Sequence, residues 1–320
     1  MPDVTQAAAA QAARSPDRWR EAEKANAPAA SLFPRCGNPG CGTGWMHVWR
    51  NRRLPGFEGR WACSPECMRA LVALALRREG SAGAASGAWS HRIPIGLLLV
   101  QQGRITAAQL RDALEGWRHR NAEKRDGKRL GTWMVESGLL TEPALTRGLS
   151  AQWSCPVFSL EHFRPEETAA VMPRILVEAF GALPVRAAGR RVYLAFCGAI
   201  DRSLSYAVER ATGLRVTAGI AGDAEFRRAQ EEYLETPGPR LRCLEAANPL
   251  RLVHAIAARI EREKPVEARL VRVHNDYWLR LWRSPEPEPG IAGRGDVDDV
   301  LCVVRSAGAP ADYRESNSRR

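Results

Sequence analysis

Four cysteines stand as two close pairs, Cys36-x4-Cys41 and Cys63-x3-Cys67, with 21 residues between them. Four thiolates arranged this way suit tetrahedral Zn2+, which favours sulfur and imposes no geometric preference of its own. Gly37, Pro39, Gly40, Gly42 and Gly44 permit a tight knuckle, and Trp45 to Trp49 can form a strand. Ser64-Pro65-Glu66 reads as a helix start, which puts Cys67 in a first turn where the helix dipole favours a thiolate. All four positions are then filled by protein, so the expected metal is structural and no position is open for catalysis. His47 is an alternative ligand, and four buried free thiols are the other reading of the same pattern. Cys155, Cys197, Cys243 and Cys302 are isolated and read as small apolar packing residues.

A knuckle, a hairpin and a helix carrying the last ligand resemble a treble-clef or zinc-ribbon finger. Downstream, residues 94–117 and 129–152 are two copies of one pattern at a fixed offset. Gly96 and Gly131, Gly103 and Gly138, Leu99 and Met134, Leu110 and Leu145, Leu114 and Leu149 are each 35 residues apart. A period held this strictly is the mark of a repeated unit. Each copy reads as a helix, a glycine stop and a second helix. Gly103 and Gly138 suit a left-handed position after a helix end. Thr106 with Gln109 three residues on fits a capping box, and Thr141 opens the equivalent helix of the second copy.

The string Arg129-Leu130-Gly131-x-x-Met134-x-x-x-Gly138, followed by Leu145, Leu149 and Gln152, resembles the N-terminal domain of type II secretion and type IV pilus assembly ATPases (GspE N-terminal-like). The resemblance continues through Gly181 to Val185, Asp201 and Thr212 to Val216, to about residue 235. It implies tandem R-L-G-x-x-L-x-x-x-G-x6-L-x3-L-x2-Q motifs of the kind that can bind cyclic di-GMP. The implied ligand set is Arg129, Leu130, Gly131, Gly138, Leu145, Leu149 and Gln152, with Gly96, Leu99, Gly103, Leu110 and Leu114 from the first copy. Glycines let a backbone approach a ligand closely, and an arginine offers a planar fork to a guanine edge or face. The second copy departs from the motif only at Met134, whereas the first carries Pro94 for the arginine, Ile95 for the leucine and Trp117 for the glutamine. Binding is therefore expected to rest mainly on the second copy, with Arg92 a substitute for the missing guanidinium.

The elements that must position these residues follow from the rest of the chain. Residues 1–30 are Ala-rich and read as disordered, with a transient helix near Arg14 to Lys24. Residues 31–80 hold the cysteine pairs, 81–90 a Gly/Ala/Ser linker that begins at Gly80, and 91–235 the secretion-ATPase-like domain. A helix opened by Asn248-Pro249, a hairpin turning at Asn275-Asp276 and a last strand at Val300 to Val304 form a small remnant at 246–305, and 306–320 read as a disordered tail. The fold class is α+β and multi-domain. Asp296, Asp298 and Asp299 read as a solvated turn.

These 320 residues contain no G-x4-G-K-[S/T] loop, no G-x-S-x-G elbow and no H-E-x-x-H helix, so a non-enzymatic chain is expected. The longest apolar run, Ile93 to Val100, is too short to span a membrane, and with no signal-peptide pattern the cytoplasm is the expected compartment. The net charge of +11 comes from 43 Arg against 4 Lys, a skew typical of a GC-rich genome, and the basic residues are scattered apart from Arg50, Arg52 and Arg53 and the run from Arg118 to Arg129. The expected role is regulatory or docking, with cyclic di-GMP as ligand and Zn2+ as structural metal. The alternatives are a pure adaptor of a secretion or pilus system, and a zinc-finger nucleic-acid regulator using Arg50, Arg52 and Arg53. Nucleic acid is the least expected partner.

Overall fold

A computed structural model describes residues 36–42, 54–82, 92–124, 128–285 and 291–305. The strand expected at Trp45 to Trp49, His47, the arginines at 50, 52 and 53 and the helix near Arg14 lie outside the described residues. A short hairpin, β1 (Gly56–Phe57) and β2 (Arg60–Trp61), leads into helix α1 (Pro65–Ala82). The helix runs two residues into the expected linker. Its last turn is fastened there, because Arg272 Nη1 donates to the Gly80 carbonyl at 2.9 Å and the Arg272 amide to Glu79 Oε2 at 3.1 Å.

The tandem repeat forms two helical hairpins, α2 (Ile95–Gln101) with α3 (Ala107–Lys124) and α4 (Leu130–Glu136) with α5 (Glu142–Trp153). Gly103 and Gly138 take φ of 64° and 72°, the left-handed stops that their spacing predicts. The Thr106–Gln109 capping box is reciprocal. The Thr106 amide donates to Gln109 Oε1 at 2.8 Å, and the Gln109 amide to Thr106 Oγ1 at 3.2 Å. The hairpins share one core, in which Leu99, Ile105, Leu110, Met134 and Leu140 are buried.

Beyond the repeat, β3 (Ala182–Ala188) and β4 (Arg191–Phe196) form an antiparallel hairpin, and β5 (Arg215–Ile220) pairs in parallel with β4. The return to a parallel strand needs a crossover, which α7 (Arg202–Thr212) supplies. Asp201 caps that helix by accepting from the Leu204 amide at 2.9 Å, and Gly213 ends it at φ 73°. Helices α6 (Arg174–Phe180) and α8 (Asp223–Glu235) complete a core around Leu176, Leu194, Phe196, Leu204 and Phe226.

The C-terminal sheet has strand order β6-β9-β8-β7. Its strands are β6 (Arg240–Ala246), β7 (Glu267–Val273), β8 (Asp276–Trp282) and β9 (Val297–Val304), with helix α9 (Pro249–Glu263) packed against it. Strand β6 is not expected from the sequence: its Arg-Leu-Arg-Cys-Leu-Glu-Ala run breaks its alternation at Cys243-Leu244 and forms a mostly exposed edge strand. Two further expectations are corrected here. Cys243 is exposed on β6 and is not a packing residue, whereas Cys302 is buried. Asp298 and Asp299 are not in a solvated turn; both are buried in β9. Asp299 accepts from Arg280 Nε at 2.9 Å, Arg280 Nη2 at 3.0 Å and the Trp278 indole at 2.7 Å. Arg280 Nη1 and Nη2 also donate to the Val171 and Ala170 carbonyls at 3.0 and 2.7 Å. A fully buried ion pair thus seats the second sheet on the segment that precedes α6.

Candidate functional site

The cysteine cluster is built by three local features. Asn38 shapes the knuckle, since its carbonyl accepts from the Cys41 amide at 3.0 Å and its Oδ1 from the Gly40 amide at 3.1 Å. The Gly37 amide donates to the Trp61 carbonyl at 2.8 Å, which ties the knuckle to the β1–β2 hairpin. Ser64 Oγ accepts from the Cys67 amide at 3.3 Å at the start of α1. The result brings Cys36, Cys41, Cys63 and Cys67 together, with their four sulfurs all within 4.8 Å of one another.

The fit to a metal can be tested on these distances. Bonds of about 2.3 Å to a tetrahedral zinc imply sulfur–sulfur edges of about 3.8 Å. Cys41 and Cys63 Sγ are 3.4 Å apart, and Cys63 and Cys67 Sγ 3.6 Å, near that edge and far beyond a disulfide bond. Asn38 Nδ2 donates to Cys67 Sγ at 3.3 Å, the outer hydrogen bond that a metal-bound thiolate ordinarily accepts. The donor set fits a four-coordinate metal with no vacant position. Burial pushes the Cys36 thiol up, so loading the site must release protons.

Helix α1, which carries Cys67, does not end in a separate small finger. Met68, Leu71, Val72, Ala75 and Leu76 are buried in one core with Leu252, Ile256 and Ile260 of α9 and Leu270 of β7. The cysteine cluster is therefore attached to the C-terminal sheet, a neighbour far away in sequence.

In the tandem repeat the motif residues divide into two kinds. Gly96 and Gly131 are close-approach positions: a Cβ on Gly96 would lie 2.6 Å from Leu110 Cδ1, and one on Gly131 2.9 Å from Leu145 Cδ1. In both copies the motif glycine thus makes room for the motif leucine on the partner helix, and Leu99 and Met134 are wholly buried. These positions hold the hairpins together.

The polar ends of the motifs behave differently. Gln152 Nε2 donates to the carbonyl of Ile93, the residue before Pro94, at 2.7 Å. Trp117 Nε1 donates to the carbonyl of Lys128, the residue before Arg129, at 2.5 Å. Both donors and both acceptors are 35 residues apart, so the two bonds are equivalent under a pseudo-twofold exchange of the copies. The indole of Trp117 thereby reproduces the N–H of the motif glutamine. Each junction joins the last motif position of one copy to the first of the other. One junction holds Pro94 and Gln152, with the Arg92 guanidinium 3.4 Å from the centroid of the Trp153 ring. The other holds Arg129 and Trp117, with Arg120 over Trp133 at 5.2 Å. Each junction is made by residues of both copies. Periodicity could not reveal this pairing, because it arises from the antiparallel packing of α2 on α5 and of α3 on α4.

Arg129 is exposed at the N-cap of α4, and its Nη1 donates to the Cys197 carbonyl at the end of β4. Cys197 Sγ in turn donates to Asp223 Oδ1 at 2.8 Å, and burial together with that carboxylate pushes the thiol up to about 12. Glu142 Oε1 accepts from the Ala224 amide at 2.8 Å at the start of α8. These contacts are the polar seam between the hairpins and the first sheet.

The MshEN domain family matches residues 153–240, from the end of α5 to the start of β6. The type IV pilus assembly ATPase PilB of Myxococcus xanthus is 32% identical over 151 residues, which is 46% of this chain and 25% of PilB. The chain therefore spans about a quarter of the length of that relative. Among solved structures, MshE with cdg is 27% identical and matches 44% of this chain and 99% of that one, with a TM-score of 0.36. The N-terminal domain of XpsE is 19% identical over 43% of this chain and 92% of that one, with a TM-score of 0.33. No helix among the described residues is long and apolar enough to cross a membrane. What is matched in the ATPases is their N-terminal domain, and this chain carries a domain of that GspE/MshE N-terminal-like kind.

Proposed function

We propose that this chain is a non-enzymatic regulatory and docking module that takes one cyclic di-GMP across the two junctions of its tandem repeat. The reading rests on the equivalent bonds Gln152 to Ile93 and Trp117 to Lys128. A cyclic dinucleotide has two identical halves, and a pseudo-twofold pair of junctions offers each half a comparable seat. The ligand class comes from the motif, and each junction retains one of its polar recognition groups, Gln152 in one and Arg129 in the other. Arg92 stacked on Trp153 supplies the first junction with the guanidinium that Pro94 removes. In the same reading the four cysteines hold a structural Zn2+, and secretion or pilus assembly proteins are the docking partners.

Regulation follows from the seam. A guanine edge that engages Arg129 competes with the Cys197 carbonyl for the same guanidinium. Ligand would then loosen the hairpins from the first sheet, a population shift set by its differential contact with the two arrangements. Calorimetric titration of the full chain with cyclic di-GMP tests the reading. One ligand per chain is expected, with Arg129→Ala and Gln152→Ala each weakening binding by about tenfold, the loss of one bidentate contact. No heat from a folded parent would leave the adaptor reading in its place.

A further inference from the structure

The first sheet ends on β5, and the outer edge of that strand is only half covered. The Ile220 amide donates to the Pro156 carbonyl at 2.9 Å, and the Phe158 amide to the Ile220 carbonyl at 2.8 Å. Ile220 therefore faces outward, and by the alternation of a strand so do Ala218 and Val216. Residues 156–158 stop after covering Ile220. At Val216 the outward amide donates to a side chain, Glu209 Oε1 at 2.7 Å, and among the described residues no backbone group meets the outer edge of Ala218. Alongside lies a groove of about 290 Å3 whose walls include Trp153, Cys155, Arg202 and Tyr206, with Val216 and Ala218 as its floor. Tyr206 is 45% exposed at its rim.

Charge marks both ends of this edge. Arg92 lies 3.4 Å from the centroid of the Trp153 ring, and Trp153 lines the groove together with Arg202. At the other end Arg191 and Arg215 are register partners on β4 and β5, a like-charge pair that costs stability unless something neutralises it. All four make no ion pair with a carboxylate among the described residues.

We propose that β5 accepts an added strand: an extended peptide segment with an apolar residue for the groove and acidic residues at both ends. Backbone groups at Val216 and Ala218 supply the pairing, the Trp153–Tyr206 groove takes the apolar side chain, and the two arginine pairs fix the ends. The part of β5 not covered by residues 156–158, Arg215 to Gly219, spans about 16 Å, which sets the length of the paired part of the segment. The Glu209 carboxylate occupies the acceptor place that the incoming strand would take. The proposal goes beyond cyclic-dinucleotide binding: it shares Arg92 and Trp153 with the first junction but uses neither Arg129 nor Gln152, and peptide binding is measured without the dinucleotide.

The probe is an acetylated nonapeptide of alternating valine and threonine with two aspartates at each end, fluorescently labelled and titrated onto the full chain. Saturable binding is expected, weakened about tenfold by N-methylation of alternate peptide amides, which removes backbone pairing and leaves charge untouched. Arg202→Glu should weaken it comparably; this exposed first-turn position accepts an acidic residue, so the helix remains folded. A peptide with lysines at its ends should not bind. Absence of saturable binding, or equal binding by the N-methylated peptide, would overturn the proposal. So would binding of phosphatidylglycerol vesicles with no binding of the peptide, which would make the arginines a membrane patch.

Discussion

Replacing Asp299 by alanine should destabilise the chain by about 3–5 kcal/mol, the cost of leaving one partner of a buried ion pair uncompensated. The geometry puts this site at the upper end of that range. Both side chains are 1% exposed, so neither water nor salt screens the orphaned guanidinium. Asp299→Ala also strips the Trp278 indole of its acceptor, a loss of about 1–3 kcal/mol when the donor is buried. Asp299→Asn keeps an oxygen for that indole and should cost less. Removing both charges together, as Arg280→Met with Asp299→Leu, should cost no more than Asp299→Ala, because no uncompensated charge remains; the Ala170 and Val171 carbonyls lose their donor in exchange. Urea unfolding followed by circular dichroism and by tryptophan fluorescence measures all three, and coincident transitions license the free energies. A loss below about 1 kcal/mol for Asp299→Ala, or a double variant that costs clearly more than Asp299→Ala, would refute the reasoning.

Elemental analysis should find one zinc per chain; chelation should expose the amides of residues 36–42 and 56–63 to hydrogen exchange while α1 stays protected, since its inner face is buried against α9. Exchange of the whole of α1 after chelation would contradict that. Thr106→Ala should cost about 1 kcal/mol through the lost cap, read as a shift in the urea midpoint. Gly131→Ala should destabilise the repeat even without ligand, because its Cβ meets Leu145; an unchanged melting temperature would argue against the packing role. His274 Nε2 lies 2.6 Å from Asp201 Oδ2. That hydrogen bond raises the imidazole pKa; burial alone would raise that of Asp201, yet the same bond holds it below the usual carboxylate range. The pair stabilises the fold fully below the ordinary histidine pKa and loses this as pH rises through the raised folded value; at the acid end it fades as Asp201 protonates. The melting-temperature gap between the parent and His274→Gln should therefore shrink on going from pH 6 to pH 9, roughly, and a gap constant with pH would contradict the pairing.

Where local chemistry decides a feature, the sequence carried it. The stops at Gly103 and Gly138, the Thr106–Gln109 box and the Asn248 cap all depend on a few consecutive residues, whereas the hairpin turn falls at His274-Asn275, one residue before the expected Asn275-Asp276, because Asp276 already pairs with Val273. The cysteine cluster was legible for the same reason, because pairs at short spacing limit where their sulfurs can go. Features made by distant segments were not. The strand at Arg240 to Ala246 is hard to read because its first four residues are exposed and its strand partner, β9, is distant in sequence. The burial of Asp298 and Asp299 depends on arginines on β8 and beyond its end, and polarity alone pointed to solvent. Trp117 in place of glutamine reads as a loss in the sequence, yet its indole donates to the Lys128 carbonyl, a bond that depends on the antiparallel packing of α3 on α4.

The most direct test of the central claim is the response of the two junctions to a single equivalent of cyclic di-GMP. Heteronuclear NMR resolves the indole N–H groups of Trp117 and Trp153 and the side-chain amide of Gln152 as separate signals once each is assigned by substitution. All three should move together and saturate at one ligand per chain, with Trp278, buried beside Asp299, unmoved as an internal control. Movement at only one junction, or saturation at two ligands per chain, would contradict a single dinucleotide bridging the repeat.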